Sequence, residues 1–229
     1  MIQILPLADI MYEEVLLEDD FASKFEGWEL IEDEEEKSFI KDSHYWMENK
    51  SKRRWMFYHK KLPVSSKENF IIKAEIELLN SNNDYGQYGL VWGFDKEHHE
   101  LSKFVVSSEK NDFTISKFQK DHEFSRHRFS DSFEKFGFEV NKQFFSIVKL
   151  ENYYYFFLNQ HDKPVYVTHV SQMPMEGNRF GFYVEPGIMI RCDKIAVKRL
   201  ITNKNFKGNP WMPFDNDEMP LGSVILRGN

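Results

Sequence analysis

Polar and apolar side chains alternate with a period of two over most of this chain, and that period limits what it can fold into. Phe70, Ile72, Ala74, Ile76 and Leu78 share one side of an extended segment, while Lys73, Glu75 and Glu77 share the other. Successive side chains of a strand point to opposite faces, so this pattern predicts a long, half-buried strand. Similar short runs recur at 45–49, 54–59, 88–94, 101–107, 113–118, 144–150, 153–159, 165–169, 179–184 and 189–200. Turn-forming clusters separate them, among them Asn80-Ser81-Asn82-Asn83-Asp84 and Glu185-Pro186-Gly187. Only 9–18 and 131–136 read as short helices. More than ten strands with short turns and no long helix predict an all-β, antiparallel two-sheet sandwich or barrel. Residues 19–201 form one domain in this reading, preceded by an acidic extension or first strand at 1–18. Residues 202–229 read as an extended tail rich in Pro, Gly and Asn, in which Trp211 and Phe214 are candidate anchors for a partner.

Composition narrows the function classes. Aromatic residues reach 16%, with 22 Phe, 10 Tyr and 5 Trp, which suits sheets and stacking surfaces. The single cysteine, Cys192, excludes an intrachain disulfide framework and a cysteine-built zinc site. No apolar run nears the roughly 20 residues of a bilayer-crossing helix, and the first residues lack the basic start of a secretory signal. The expectation is therefore a cytoplasmic chain without membrane insertion. A net charge of -7 argues against a nucleic-acid partner. That charge is uneven: residues 1–36 hold 13 acidic side chains against one basic, Lys24. The run Glu32-Asp33-Glu34-Glu35-Glu36 reads as a solvated loop between strands. Lys50-Ser51-Lys52-Arg53-Arg54, flanked by Trp46, Trp55, Phe57 and Tyr58, reads first as a hairpin turn with its bases in water. Basic residues interleaved with rings also suit a clamp on single-stranded nucleic acid.

The order of the strand strings resembles a known fold family. Asp19-Asp20-Phe21 with Gly27-Trp28 is similar to the start of concanavalin A-like (laminin-G-like) jelly-roll domains of bacterial type. Asn69 to Ile76 resembles the family's F-x-I-x-A-x-I strand, and Tyr85 to Gly93 its YGLVWG strand. Leu101 to Ser107 matches the next strand, and Tyr155-Phe156-Phe157-Leu158-Asn159 the Y-F-Y-I-N-G hairpin, with Gln160 in place of glycine. Residues 179–183 and 190–197 look like the closing strands. The resemblance implies a sandwich whose concave sheet or loops bind a glycan or a protein, with aromatic rings stacking on sugar faces. The expected ligand surface is Trp46, Trp55, Tyr88 and Trp92, with Arg53 and Arg54 as polar contacts.

Catalytic signals are sparse. Hydrolases of this fold set two carboxylates on one strand face as E-x-D-x-x-E or E-x-D-x-E, and neither occurs. Glu75 and Glu77 share a face about 7 Å apart, within the inverting range of paired carboxylates. Lys73 joins them, which favours a solvated face. A divergent glycoside hydrolase is the alternative to a non-catalytic binding module. A third reading is a structural or inhibitory subunit whose acidic N-terminal part meets a basic partner. No cofactor is required, although jelly rolls of this kind often hold a structural calcium, for which Glu18, Asp20 and Asp193 are the candidate oxygen ligands. His98 and His99 are adjacent and would point apart on a strand. No G-x-S-x-G and no phosphate-cradling glycine loop appears.

Overall fold

The computed structural model describes residues 11–22, 27–82, 86–95, 97, 99–107, 112–119, 122–129, 141–159 and 163–202. The described residues form fifteen strands and no helix. In chain order these are β1 (Met11–Asp19), β2 (Ile31–Glu32), β3 (Glu36–Lys41), β4 (His44–Asn49) and β5 (Met56–Lys61). Then come β6 (Phe70–Ser81), β7 (Gln87–Asp95), β8 (Glu100–Ser107), β9 (Phe113–Gln119) and β10 (His122–Phe129). The last five are β11 (Lys142–Leu150), β12 (Tyr153–Leu158), β13 (Tyr166–His169), β14 (Arg179–Val184) and β15 (Ile188–Thr202). Nine strands make one antiparallel sheet in the order β13-β12-β11-β6-β15-β4-β3-β2, with β1 also on β15. Six make the other, in the order β10-β9-β8-β7-β14-β5.

The two sheets pack by their inner faces, as the alternation requires. From the nine-stranded sheet come Tyr45, Met47, Phe70, Ile72, Ile76, Phe145, Ile147, Phe156 and Val197; Tyr58, Tyr88, Leu90, Trp92, Phe104, Ile115 and Phe182 come from the other. Ring packing joins the layers: Trp92 lies 5.5 Å from Phe156, and Phe104 meets Phe145 edge-on at 5.2 Å. Gly89 allows β7 and β8 to close up, since a Cβ there would fall 2.3 Å from the Phe104 carbonyl oxygen.

The Asp-Phe and Gly-Trp strings acquire a physical reason. Asp19 caps the chain turn at Phe21, which has a φ of 57°, by accepting the Phe21 amide at 2.9 Å. Its other oxygen accepts the Trp28 indole N–H at 3.0 Å, so that the indole can be buried among Tyr45, Phe180 and Phe182 without losing its polar contact.

Two expectations are corrected. Residues 11–19 form a strand, as in the first-strand reading of 1–18 and not the short-helix one, because β15 extends beyond β4 and offers an edge on which β1 pairs from Met11↔Thr202 to Asp19↔Ile195. Residues 50–55 are not a hairpin turn: β4 lies in the nine-stranded sheet and β5 in the six-stranded one, so the segment crosses between layers. The acidic 32–36 run is the β2–β3 turn, closed by the Asp33 carboxylate on the amides of Glu35 and Glu36. The 131–136 segment lies outside the described residues. Among those described, no helix is long and apolar enough to cross a membrane.

The crossover hangs on Asn49, which is 1% exposed. Its amide donates to the Arg54 carbonyl at 2.7 Å and to the Val184 carbonyl of β14 at 2.9 Å, and its side-chain oxygen accepts the Ser51 amide at 3.0 Å. Tyr58 adds a second tie by donating its hydroxyl to the Glu48 carbonyl at 2.9 Å. Replacing Asn49 with Ala strands these buried groups. A buried, unsatisfied polar group costs ~1–3 kcal/mol. At about 2–4 °C per kcal/mol for a chain of this length, Asn49→Ala is expected to lower the melting temperature by roughly 2–12 °C; a drop near zero contradicts the clamp.

The β1 seam predicts an acid sensitivity. Glu13 pairs with Lys198 and, at 3.6 Å, with Lys73. Burial alone would raise its carboxyl, but the hydrogen bond from Lys198 and the charges of both lysines hold it below the ordinary value. A depressed folded pKa gives stability that is present above the unfolded value and is lost as pH falls through the folded one. Glu13→Gln should therefore lower the melting temperature at pH 7 and flatten its fall below roughly pH 4.3. Equal pH profiles for the two proteins would contradict the pairing.

Candidate functional site

The outer face of the six-stranded sheet carries the odd-numbered side chains of β5 and β14. On β5 and the residue before it these are Trp55, Phe57 and His59, and on β14 Tyr183; β7, β8 and β9 supply Val91, Leu101, Val105 and Phe118. They form a second apolar cluster on the far side of the sheet from the main core. Trp55 is its hub: its ring lies 4.4 Å from Phe57, 6.0 Å from Phe118 and, stacked at 29°, 6.0 Å from Tyr183. Phe57 continues to Phe94 at 5.0 Å, and Phe94 to His59 at 5.2 Å. Trp55, Phe57, His59 and Phe118 are half-buried, so their outer edges reach solvent.

Behind the rings lies a polar layer. Lys103 is 3% exposed, with its ammonium 4.5 Å from the Tyr183 ring centre and 4.9 Å from that of Phe118, where the ring faces attract a cation. It donates to the Gln87 side-chain oxygen at 3.1 Å, and Gln87 donates to Thr114 at 3.3 Å. Glu185 accepts the Tyr183 hydroxyl at 3.1 Å and the Gln87 amide at 3.0 Å. These contacts fix the height of Tyr183 and Phe118, and so the shape of the ring strip. Such a strip can take the flat apolar face of a ligand, with N–H and O–H groups at its margins.

The expected ligand residues separate into three places. Trp55 stands in the strip, and Arg53 and Arg54 are exposed on the crossover that leads into it. Trp46 lies on the outer face of the nine-stranded sheet, stacked on Phe39 at 5.7 Å and covered by the Arg191 guanidinium at 5.9 Å. Tyr88 and Trp92 require correction: at 2% and 0% exposure they belong to the core and meet no ligand, because the even positions of β7 point inward. Burial also pushes the Tyr88 phenol above its ordinary pKa. Trp211 and Phe214 lie outside the described residues.

Glu18, Asp20 and Asp193 do not come together as ligands. Glu18 is paired with Lys194, Asp20 accepts the Ala22 amide at 3.1 Å, and Asp193 is held by Lys142 at 2.8 Å, His44 at 3.3 Å and Arg191 at 3.4 Å. Among the described residues no group of three or more His, Cys, Asp or Glu could hold a metal ion. Glu75 and Glu77 do share the outer face of β6, tied to Lys142 and Arg191 respectively. The Cys192 thiol is buried, which pushes its pKa well up, and it faces the core.

Phe118, Tyr183 and Lys103 were not among the residues expected from sequence, and Phe57 was named only as a ring flanking the basic run. The readable signal is parity: Trp55, Phe57 and His59 alternate with Tyr58, and once Tyr58 is assigned inward the odd positions must face out.

No family model matches the chain, and no curated protein matches its sequence. Its fold does match solved structures. The endo-beta-1,3-glucanase of Pyrococcus furiosus aligns with a TM-score of 0.58 at 8% identity, over 83% of this chain and 96% of that one. A protein of unknown function with a galectin-like fold from Bacillus subtilis gives 0.56 at 12%, over 84% and 100%. The CBM2 module of the evolved Dit of Lactobacillus casei BL23 phage J-1 gives 0.54 at 10%, over 83% and 97%. The chain is thus an all-β concanavalin A-like jelly roll, the fold the strand strings resemble.

These placements separate two tryptophans by the cost of losing them. Trp92→Ala empties a core position and should cost about 3–5 kcal/mol. Trp55→Ala, at a half-exposed ring, should cost about half as much or less, and calorimetric melting of the two variants checks the order. Equal losses would place both rings in comparable packing.

Proposed function

We propose that this chain is a non-catalytic glycan-binding module whose ligand lies along the ring strip of Trp55, Phe57 and Phe118. The observation that carries the reading is the contiguous, solvent-reaching aromatic surface on the outer face of the six-stranded sheet, braced from behind by Tyr183 and Lys103. Aromatic rings have flat apolar faces and keep their orientation at low entropic cost, which suits them to the apolar faces of pyranose rings. Support also comes from structures of the same fold that are described as a carbohydrate-binding module, an endo-beta-1,3-glucanase and a GH16 protein in complex with a G4G4G3G product.

A hydrolase reading would require a carboxylate pair free to give and accept protons at the ligand. Glu75 and Glu77 lie on the opposite sheet and are each held by a cation, which supports binding without turnover.

The test is calorimetric titration of the full chain against a panel of soluble polysaccharides, with reducing-end release assayed in parallel. At least one glycan should bind, Trp55→Ala should weaken that binding tenfold or more, and Trp46→Ala should leave it within about twofold. Absence of binding across the panel would overturn the glycan reading in favour of a protein partner. Turnover abolished by Glu75→Gln would overturn the non-catalytic one.

A further inference from the structure

Resting on that glycan reading, we propose that the ligand is an anionic polysaccharide, one carrying uronate carboxylates or sulfate esters, held by Lys52, Arg53 and Arg54 at the end of the ring strip. The argument starts from how the cations of this chain are used. On the nine-stranded sheet, Lys73, Lys142, Arg191, Lys194, Lys198 and Arg199 each meet a carboxylate of the chain itself. Among the described residues, Lys52, Arg53 and Arg54 form no ion pair, and all three are exposed. They stand consecutively on a backbone that is not free to turn them away. The Asn49 amide and the Ser51 hydroxyl both bond the Arg54 carbonyl, at 2.7 and 2.6 Å, and the Arg54 amide donates back to Ser51 at 3.2 Å.

Trp55 follows directly, and Phe57 and His59 continue along β5 to Lys61, which is exposed and pairs in register with Arg179. At about 3.3 Å per residue the strip from Trp55 to Lys61 runs roughly 20 Å, with bases at both ends and rings between them. Several carboxylates around the strip are engaged, Glu48 with Lys50 at 3.6 Å, Glu100 with Lys117 at 3.6 Å, Glu185 with Tyr183 and Gln87, and Glu29 with His59 at 3.7 Å, while the acidic β2–β3 turn adjoins the start of the crossover, where the Lys50 amide donates to the Glu35 carbonyl at 2.7 Å. The guanidinium fork matches carboxylate and sulfate oxygens in pairs.

The experiment titrates the full chain with polygalacturonate, with laminarin as the neutral glucan, and with a single-stranded oligothymidylate, at low and high salt. Polygalacturonate should bind at least tenfold tighter than laminarin at low salt and lose most of that advantage at high salt. The combined Lys52→Gln, Arg53→Gln, Arg54→Gln variant, with an unchanged melting temperature, should lose the same advantage. Laminarin binding as tightly as polygalacturonate, through Trp55, would overturn the anionic ligand and leave the glycan reading standing. Oligothymidylate binding as tightly as polygalacturonate, with both unaffected by Trp55→Ala, would overturn it in favour of non-specific attraction of polyanions. Failure of every glycan would remove both readings together.

Discussion

A sandwich of two sheets is held by apolar contact, which is strong but does not by itself fix how one layer sits over the other. In this chain the buried amide of Asn49 supplies that fix. It lies at the end of a strand in one sheet, bonds a carbonyl of the other, and closes the crossover between them. An amide in such a place is costly unless satisfied, so it accepts few alternative arrangements. The position of β5 follows from it, with help from Tyr58 reaching back to Glu48. From β5 follow Trp55 and Phe57, and from the crossover follow the three bases that form no ion pair among the described residues. The candidate site is thus placed by a polar clamp that takes no direct part in it.

The electrostatics of the two outer faces differ for a related reason. The nine-stranded sheet contains the long central strands β6 and β15, whose outward positions lie side by side in register, so carboxylates and cations come within reach of each other. Its charge is largely satisfied within the chain, including that of the acidic β1. The crossover has no such neighbour strand. Of the acidic N-terminal stretch, Glu13, Glu14 and Glu18 pair with bases of β15.

Most of the fold was legible in the sequence, because alternation, turn residues and the order of the strand strings all point to an antiparallel sandwich. The site was legible only in part. From Tyr88 to Phe94 every position of β7 is glycine, aliphatic or aromatic, so Tyr88 and Trp92 could not be assigned to a face from the pattern; the glycine at 89 on the opposite parity was the available clue, since close strand approach excludes a Cβ there. The segment 50–55 looks like a turn because nothing local distinguishes a hairpin from a passage between layers. That distinction is made by long-range partners such as Val184, 135 residues away from Asn49. The same holds for Asp193, whose partners Lys142 and His44 lie on β11 and β4, while only Arg191 is close in sequence.

The interleaving along β5 has a consequence for how such a chain can diverge. Tyr58 belongs to the folding of the molecule, while Trp55, Phe57 and His59 belong to its outside, although they are sequence neighbours. A substitution at an outward letter leaves the inward ones and their packing untouched. Because β5 is also an edge strand, hydrogen-bonded among the described residues to β14 alone, its outward letters can be exchanged with changes confined to the outer cluster they share with Phe94, Phe118 and Tyr183. Lineages sharing this architecture can therefore keep the same interior grammar while rewriting the vocabulary of their surface.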